Sequence, residues 1–136
     1  MLMPPAAPRP PHVLIVEDDP NVMSMLVAQL ERRVPRATFV GASNVQEGRA
    51  ELDREPVDLI LSDYHLPDGN GLDFLRQAKR EYPATRRVML TGAPEEGLAL
   101  DAARDAGIER FFVKPIDMPA LARVIERMLS RSESHR

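Results

Sequence analysis

Cysteine and tryptophan are absent from this chain of 136 residues, and aromatic residues make up only 4% of it. Without cysteine the chain has no disulfide framework and no thiolate metal site. Apolar runs are short, and none approaches the roughly 20 residues that a membrane-spanning helix needs. A surplus of positive charge is also missing, because the net charge is −3 and the lysine and arginine residues are scattered. We therefore expect a cytoplasmic globular protein that binds neither a membrane nor nucleic acid directly.

The chain divides into a proline-rich start, one domain and a short tail. Proline occupies five of the first eleven positions, and this segment lacks the apolar core of a signal peptide. Residues 1–11 are therefore predicted to form a disordered or polyproline lead-in. Residues 12–130 suit a single domain, since 43% hydrophobic and 29% charged residues are ordinary proportions for a globular protein. Residues 131–136 are predicted to be a polar tail, and no internal repeat or second domain is evident.

Five aliphatic segments alternate with five segments of helical periodicity. The predicted strands are 12–17, 37–42, 57–62, 87–91 and 111–113, and the predicted helices are 20–34, 44–54, 71–82, 94–106 and 117–129. Asp19 and Pro20 form a typical helix start, and Gly107 is placed to end the fourth helix. Such alternation demands parallel strands joined by helical crossovers. It predicts an α/β fold, a single (βα)5 doubly wound parallel sheet with helices on both faces.

Polar side chains stand where four of the predicted strands end. They are Glu17, Asp18 and Asp19 after the first strand, Asp63 after the third, Thr91 at the fourth and Lys114 after the fifth. Ligands bind at the carboxyl edge of open parallel sheets, so these side chains are expected to converge there. Carboxylates a few ångströms apart repel one another unless a cation lies among them, and oxygen ligands with room for water favour magnesium over calcium. Thr91 could donate a hydrogen bond to a bound anion, which Lys114 could neutralise.

This constellation resembles the receiver domain of two-component response regulators, over about residues 12 to 130. The resemblance implies a flavodoxin-like strand order 2-1-3-4-5. It also implies that Asp63 accepts a phosphoryl group from a sensor histidine kinase or a phosphotransfer protein in a magnesium-dependent reaction. By the same resemblance Mg2+ is held by Glu17, Asp18, Asp63 and the backbone carbonyl of His65, with Asp18 a direct ligand and Asp19 a helix cap instead.

The resemblance assigns further roles to the remaining strand-end residues. Thr91 and Lys114 are expected to bind the phosphoryl oxygens, and the bond from Lys114 to Pro115 is usually cis in the family. Thr91 and Phe111 are expected to form the conformational switch, although Phe111 lacks the hydroxyl of the tyrosine found in chemotaxis-type regulators. The face that would change comprises 94–106, 111–113 and 117–129, and it could bind an output protein or a second copy of the chain.

Other functional classes fit the sequence less well. A phosphatase with an aspartyl nucleophile would need a second carboxylate two residues later, where this chain has His65. A nucleotide-binding protein of similar fold would need a phosphate cradle after the first strand, and three acidic residues stand there instead. The chain is therefore interpreted as a signalling domain that catalyses only its own phosphorylation and dephosphorylation. A non-phosphorylated pseudo-receiver that acts as a docking scaffold remains the alternative, and both a stand-alone receiver and part of a longer regulator are compatible with the sequence.

Overall fold

The computed structural model describes residues 9–92 and 100–134 of the chain. The main elements, in order, are β1 (His12–Val16), α1 (Pro20–Arg33), β2 (Thr38–Ala42), α2 (Val45–Arg54), β3 (Leu59–Asp63), β4 (His65–Leu66), β5 (Gly69–Asn70), α3 (Gly71–Glu81), β6 (Arg86–Thr91), α4 (Leu100–Asp105), β7 (Arg110–Val113) and α5 (Met118–Ser134). Within the described ranges, no helix combines the length and the apolar character needed to cross a bilayer.

Five strands form one parallel sheet in the order β2-β1-β3-β6-β7. Counted over these five strands, the order is 2-1-3-4-5, so the predicted doubly wound α/β fold is confirmed. The two short strands β4 and β5 form a separate antiparallel hairpin between β3 and α3. The hairpin was not predicted, and it lies in the loop that leaves the carboxyl end of the central strand.

The sheet separates two hydrophobic clusters because successive residues of a strand point to opposite faces. Val13 and Ile15 of β1 pack on the face covered by α1 and α5, whereas Leu14 and Val16 pack on the face of α2 and α3. The central strands β1 and β3 are buried throughout, as expected for a parallel sheet covered on both sides. Each fully buried aliphatic side chain there contributes about 1.5–3 kcal/mol.

Side-chain caps determine where the helices begin at the carboxyl edge of the sheet. Asp19 accepts hydrogen bonds from the backbone N–H groups of Asn21 and Val22, and Pro20 takes the first helical position of α1, as predicted. Asn44 caps α2 and Asn70 caps α3 in the same way. Since each cap satisfies otherwise unpaired donors, it is worth about 1 kcal/mol. The caps therefore fix where α1, α2 and α3 begin.

The ends of the domain differ in part from the prediction. Helix α5 continues to Ser134 and so runs through four residues of the predicted polar tail. Only 9–11 of the predicted lead-in belong to the described part, and there Arg9 pairs with Asp58 at 3.0 Å. The amino-terminal part of the predicted helix 94–106 lies outside the described residues. Its end is as predicted, because Gly107 follows α4 with a positive φ of 67°.

Candidate functional site

Asp63 is the last residue of β3 and lies at the centre of the carboxyl edge. Strand β3 is hydrogen-bonded to β1 on one side and to β6 on the other, which holds the Asp63 backbone in place. Only 7% of Asp63 is exposed. Its Oδ1 accepts a hydrogen bond from the backbone N–H of Tyr64 at 2.8 Å, and its Oδ2 accepts one from Nζ of Lys114 at 3.0 Å. The carboxylate is thus oriented from both sides.

Lys114 follows β7 and joins the two buried acidic residues of the site. Its Nζ lies 3.1 Å from Oε1 of Glu17 in addition to its contact with Asp63. Burial lowers the pKa of an ammonium group, but the hydrogen bonds to Asp63 and Glu17 outweigh burial, so the pKa of Lys114 is raised. Lys114 is therefore held as a cation. The bond to Pro115 is cis, as the resemblance implied.

Three carboxylates meet next to this lysine. Ligand oxygens of Glu17, Asp18 and Asp63 all lie within 4.8 Å of one another. Glu17 is 2% exposed, whereas Asp18 faces solvent. Burial and the neighbouring Asp63 carboxyl group raise the pKa of Glu17 to about 7, although Lys114 acts in the opposite direction. A cluster of oxygens that is open to water on the Asp18 side fits a magnesium ion, which keeps several water ligands. Asp19 caps α1 instead, as predicted.

Thr91 and His65 come at or just after the ends of two adjacent strands, β6 and β3. Thr91 ends β6, is 2% exposed, and its backbone carbonyl accepts a hydrogen bond from the N–H of Lys114 at 2.8 Å. His65 belongs to the hairpin, with its side chain exposed and its ring 4.8 Å from that of Tyr64. The backbone of His65 is paired with that of Asn70 in the hairpin. This pairing fixes the loop that carries the His65 carbonyl. Glu17, Asp18, Asp63, Thr91 and Lys114 are thus gathered at one edge of the sheet.

Sequence comparison identifies the family of this arrangement. The family model of the response regulator receiver domain matches residues 13–126 of the chain. The chain belongs to this family. The receiver is 36% identical over 116 residues to response regulator protein PilR of Pseudomonas aeruginosa. The aligned segment covers 85% of this chain but only 25% of PilR. It is 31% identical over 124 residues to the transcriptional regulatory protein GlrR of Escherichia coli, covering 91% of the chain and 27% of GlrR.

Solved structures with the same fold support the family assignment. The receiver matches the signal receiver domain of an HD domain-containing protein from Pseudomonas fluorescens with a TM-score of 0.86 and 29% identity, over 99% of this chain and 98% of that one. A CheY-like response regulator receiver domain protein from Methanospirillum hungatei matches with a TM-score of 0.81 and 26% identity, over 93% and 98% of the two chains. The receiver therefore corresponds to whole chains of these structures but to about a quarter of PilR and GlrR.

Phe111 lies on the outer strand of the sheet, away from the acidic cluster. It is 36% exposed, and Val113 on the same strand is 47% exposed. Phe111 is paired with Met89 and Val113 with Thr91, while Phe112 packs against the opposite hydrophobic cluster. Because side chains alternate along a strand, Phe111 and Thr91 lie on the same face of the sheet. The two predicted switch residues thus lie diagonally to each other on one face of two adjacent strands.

Two residues of the loop after Asp63 were not singled out from the sequence. Gly71 begins α3, and a Cβ atom there would lie 2.1 Å from the backbone oxygen of Asp63. Asp68 accepts hydrogen bonds from the backbone N–H groups of Val45 and Gln46 at 2.8 and 3.0 Å, so the loop is fastened to the start of α2. A glycine at a first helical position was the signal available for Gly71, whereas the contact of Asp68 requires the tertiary structure.

Proposed function

We propose that Asp63 is the phosphoacceptor of this receiver and takes a phosphoryl group from the phosphohistidine of a sensor histidine kinase or a phosphotransfer protein. The observation that carries this proposal is the approach of Lys114 to Asp63 and Glu17 at the carboxyl edge. In the transfer, a carboxylate oxygen of Asp63 forms a bond to phosphorus while the bond from phosphorus to the histidine nitrogen breaks. The imidazole leaves with the electron pair of the broken bond.

The surrounding side chains bind and orient the groups of this reaction. Lys114 would neutralise one phosphoryl oxygen, and the Thr91 hydroxyl would donate a hydrogen bond to another. The hydrogen bond from the Tyr64 N–H fixes the orientation of one Asp63 carboxylate oxygen. The carboxylate is therefore oriented before the phosphoryl donor arrives. Phosphoryl transfer depends mainly on such positioning and on electrostatic stabilisation. Hydrolysis of the resulting acyl phosphate by water would return the receiver to its starting state.

The donor set at the edge fits a magnesium ion. Glu17, Asp18, Asp63 and the backbone carbonyl of His65 are the residues that would hold it, and all four offer oxygen. When bound, the ion supplies positive charge that offsets the repulsion between the carboxylates and the incoming phosphoryl oxygens. Asp18 faces solvent and is therefore the carboxylate that an arriving hydrated ion meets first.

The output of the receiver is proposed to pass through the face that carries Phe111. Both Phe111 and Val113 expose apolar surface on β7. Helix α5 follows β7 in the sequence and belongs to the same predicted face. An output protein, an output domain of the same chain or a second copy could distinguish two states of this face. A cytoplasmic location is part of the proposal, because the phosphohistidine donor of a sensor kinase is found there.

A small phosphodonor tests the proposal directly. The purified chain is incubated with phosphoramidate and magnesium, and the modified residue is mapped by mass spectrometry. We expect one phosphoryl group on Asp63, no reaction with chelator, and no reaction of Asp63→Asn. Asp105→Asn, which changes an exposed carboxylate of α4, is the control and should react like the unmodified chain. Labelling of Asp63→Asn at the original level would contradict the assignment, and a wild-type chain that binds magnesium but takes no label would support the docking-scaffold alternative.

A further inference from the structure

A second group of ligand-type side chains lies at the opposite end of β1 from the phosphoacceptor site. His12 is the first residue of β1, and Glu51 and Glu55 come from the last turn of α2 and its cap. One ligand atom from each of the three lies within 4.8 Å of the other two. We propose that His12, Glu51 and Glu55 bind a divalent transition-metal ion of the zinc type, at a site separate from the magnesium site.

The first argument is the environment of the His12 ring. His12 is only 9% exposed, and its Nε2 has no hydrogen-bond partner among the described residues. Oε1 of Glu55 nevertheless lies 2.6 Å from this nitrogen, outside the direction of a hydrogen bond. A metal ion could therefore replace the direct contact between Nε2 and the Glu55 carboxylate and be bound by both groups.

The contact of the other ring nitrogen allows a metal-binding form of the histidine. Nδ1 lies 2.7 Å from Oγ1 of Thr38, the residue opposite His12 on β2. The Thr38 hydroxyl can itself donate to the backbone oxygen of Pro11 at 3.4 Å, and in that arrangement it accepts a hydrogen bond from the Nδ1–H group. In this tautomer the Nε2 lone pair is available to an ion that the Glu55 carboxylate also binds. Histidines that bind metals usually donate their other N–H in this way.

The backbone of His12 is held in place independently of its ring. Its N–H donates to Oδ2 of the buried Asp58 at 2.8 Å, and its carbonyl accepts from the N–H of Asp58 at 2.8 Å. Glu51 belongs to the last turn of α2, and Glu55 is the extended residue that caps the helix. A site whose ligands are fixed by strand and helix needs little rearrangement to bind an ion.

Arg54 is the competitor for the two carboxylates. Its Nη2 lies 2.6 Å from Oε2 of Glu51 and 3.2 Å from Oε1 of Glu55. The Arg54 side chain is 57% exposed, and exposed ion pairs of this kind are weak. An arriving ion can therefore displace the guanidinium into solvent. Two carboxylates with one guanidinium also leave a negative charge that attracts a cation.

The donor set determines the kind of metal. One imidazole and two carboxylates suit zinc and related transition metals, whereas magnesium and calcium prefer oxygen alone. Three protein ligands leave a position for water. Because β1 and α2 would be joined through the ion, binding should stabilise the folded chain.

Zinc titration in excess magnesium tests the proposal, since magnesium occupies the acidic cluster at Asp63. Calorimetry should show one zinc ion per chain, and 15N NMR should show the shift of His12 Nε2 change while Nδ1 stays protonated. His12→Gln and Glu55→Gln should each weaken binding by about tenfold or more. Arg54→Gln keeps all three ligands and should bind zinc more tightly than the unmodified chain. Asp53→Asn, a carboxylate of α2 outside the cluster, should bind zinc unchanged.

Three results would overturn the proposal. One is the same zinc affinity in Glu55→Gln and the unmodified chain. Another is a doubly protonated His12 ring at pH 7.5 that zinc does not alter, because a second proton would then occupy the position of the ion. The third is no gain in affinity for Arg54→Gln, a variant that is informative even if His12→Gln fails to fold. Phosphorylation of Asp63 is not used as a readout, so failure here leaves the proposed function untouched.

Discussion

Nζ of Lys114 lies 3.0 Å from Oδ2 of Asp63, although 51 positions separate the two residues in the chain. They meet because β3 and β7 run parallel and end at the same edge of one sheet. The same ammonium group contacts Glu17 at 3.1 Å. One cation therefore balances two buried carboxylates, and several consequences of this arrangement can be measured.

Removal of the Lys114 charge should affect both reaction and stability. In Lys114→Met the two buried carboxylates lose their cationic partner. We therefore expect the free energy of unfolding, measured in urea at pH 8.5 with chelator, to fall by about 1–3 kcal/mol. Phosphorylation of Asp63 by phosphoramidate should slow by about 100-fold, since a group that stabilises the developing charge is gone. Lys79→Met, which changes an exposed lysine of α3, is the control. Equal rates for Lys114→Met and the unmodified chain would contradict the role of Lys114.

The raised pKa of Glu17 predicts a pH dependence of stability in the absence of metal. The pKa is about 7 in the folded chain, against 4.5 for an ordinary glutamate. The folded state therefore binds this proton more strongly than the unfolded state, and stability from Glu17 is present at low pH and lost as pH rises through about 7. The loss is on the order of 2–3 kcal/mol.

Comparison with Glu17→Gln isolates this effect from other titrating groups. In chelator, the free energy of unfolding of Glu17→Gln relative to the unmodified chain should increase as the pH rises from 5 and should level off above about pH 7. Denaturant titrations at a series of pH values measure it. If the difference in the free energy of unfolding between the two proteins stays constant over this pH range, the pKa of Glu17 is the same in the folded and unfolded states.

The main features of the fold were predictable because they depend on local patterns. The aliphatic strands and the caps Asp19 and Asn70 are encoded in short segments, and parallel topology then brings strand ends together. The convergence of Glu17, Asp63 and Lys114 followed from this rule, whereas their chemical roles stay predictions. The receiver family was confirmed by sequence comparison.

Features that depend on tertiary contacts were not predictable in the same way. The hairpin of β4 and β5 has only two residues per strand and no apolar run of its own. Alternation along an extended segment places Glu17 and Asp18 on opposite sides, but only the fold shows that the first is buried and the second exposed. Asp68 binds the start of α2 across 23 positions, which no short segment could reveal.

The hydrogen bonds of Asp68 predict that this residue positions the phosphoacceptor loop. Its oxygens accept from Val45 and Gln46, and these bonds lower the pKa of Asp68. In Asp68→Ala the loop loses this attachment, so the magnesium affinity should fall by about tenfold, as is typical when a group supporting a ligand is removed. The amide resonance of Tyr64 can follow the titration. Asp68→Asn keeps one acceptor oxygen and should restore part of the affinity, and a full affinity of Asp68→Ala would rule out the positioning role.

The close approach of Gly71 to Asp63 predicts a sharp response to a single added methyl group. A Cβ at position 71 would lie 2.1 Å from the Asp63 backbone oxygen, so in Gly71→Ala the backbone must shift. We expect a stability loss of about 1–3 kcal/mol and a slower phosphorylation of Asp63. Gly69→Ala is the matched control in the same loop, because its Cβ would meet only Val45 Cγ2 at an ordinary 3.4 Å. Similar stabilities for the two variants would show that the loop adapts freely.

Phosphorylation of Asp63 should change the exposure of Phe111. Its side chain is 36% exposed and lies on the same face of the sheet as Thr91. A phosphoryl group carries a charge near −2 and should draw the Thr91 hydroxyl toward it. The space that Thr91 leaves is then available to the aromatic ring, and filling it avoids an unfavourable cavity. Because Phe111 has no hydroxyl, packing alone should determine its position.

Tryptophan fluorescence can measure this movement, since the chain has no tryptophan of its own. Phe111→Trp places a single reporter at the switch position, and Phe39→Trp places one on β2 at the other edge of the sheet. Addition of beryllofluoride with magnesium, which mimics the phosphoryl group, should shift the emission of Phe111→Trp to shorter wavelength and leave that of Phe39→Trp unchanged. The shift should disappear when Thr91→Val is combined with Phe111→Trp. Emission that stays constant at position 111 while the amide of Tyr64 moves would show that the phosphoacceptor site and this face are not coupled.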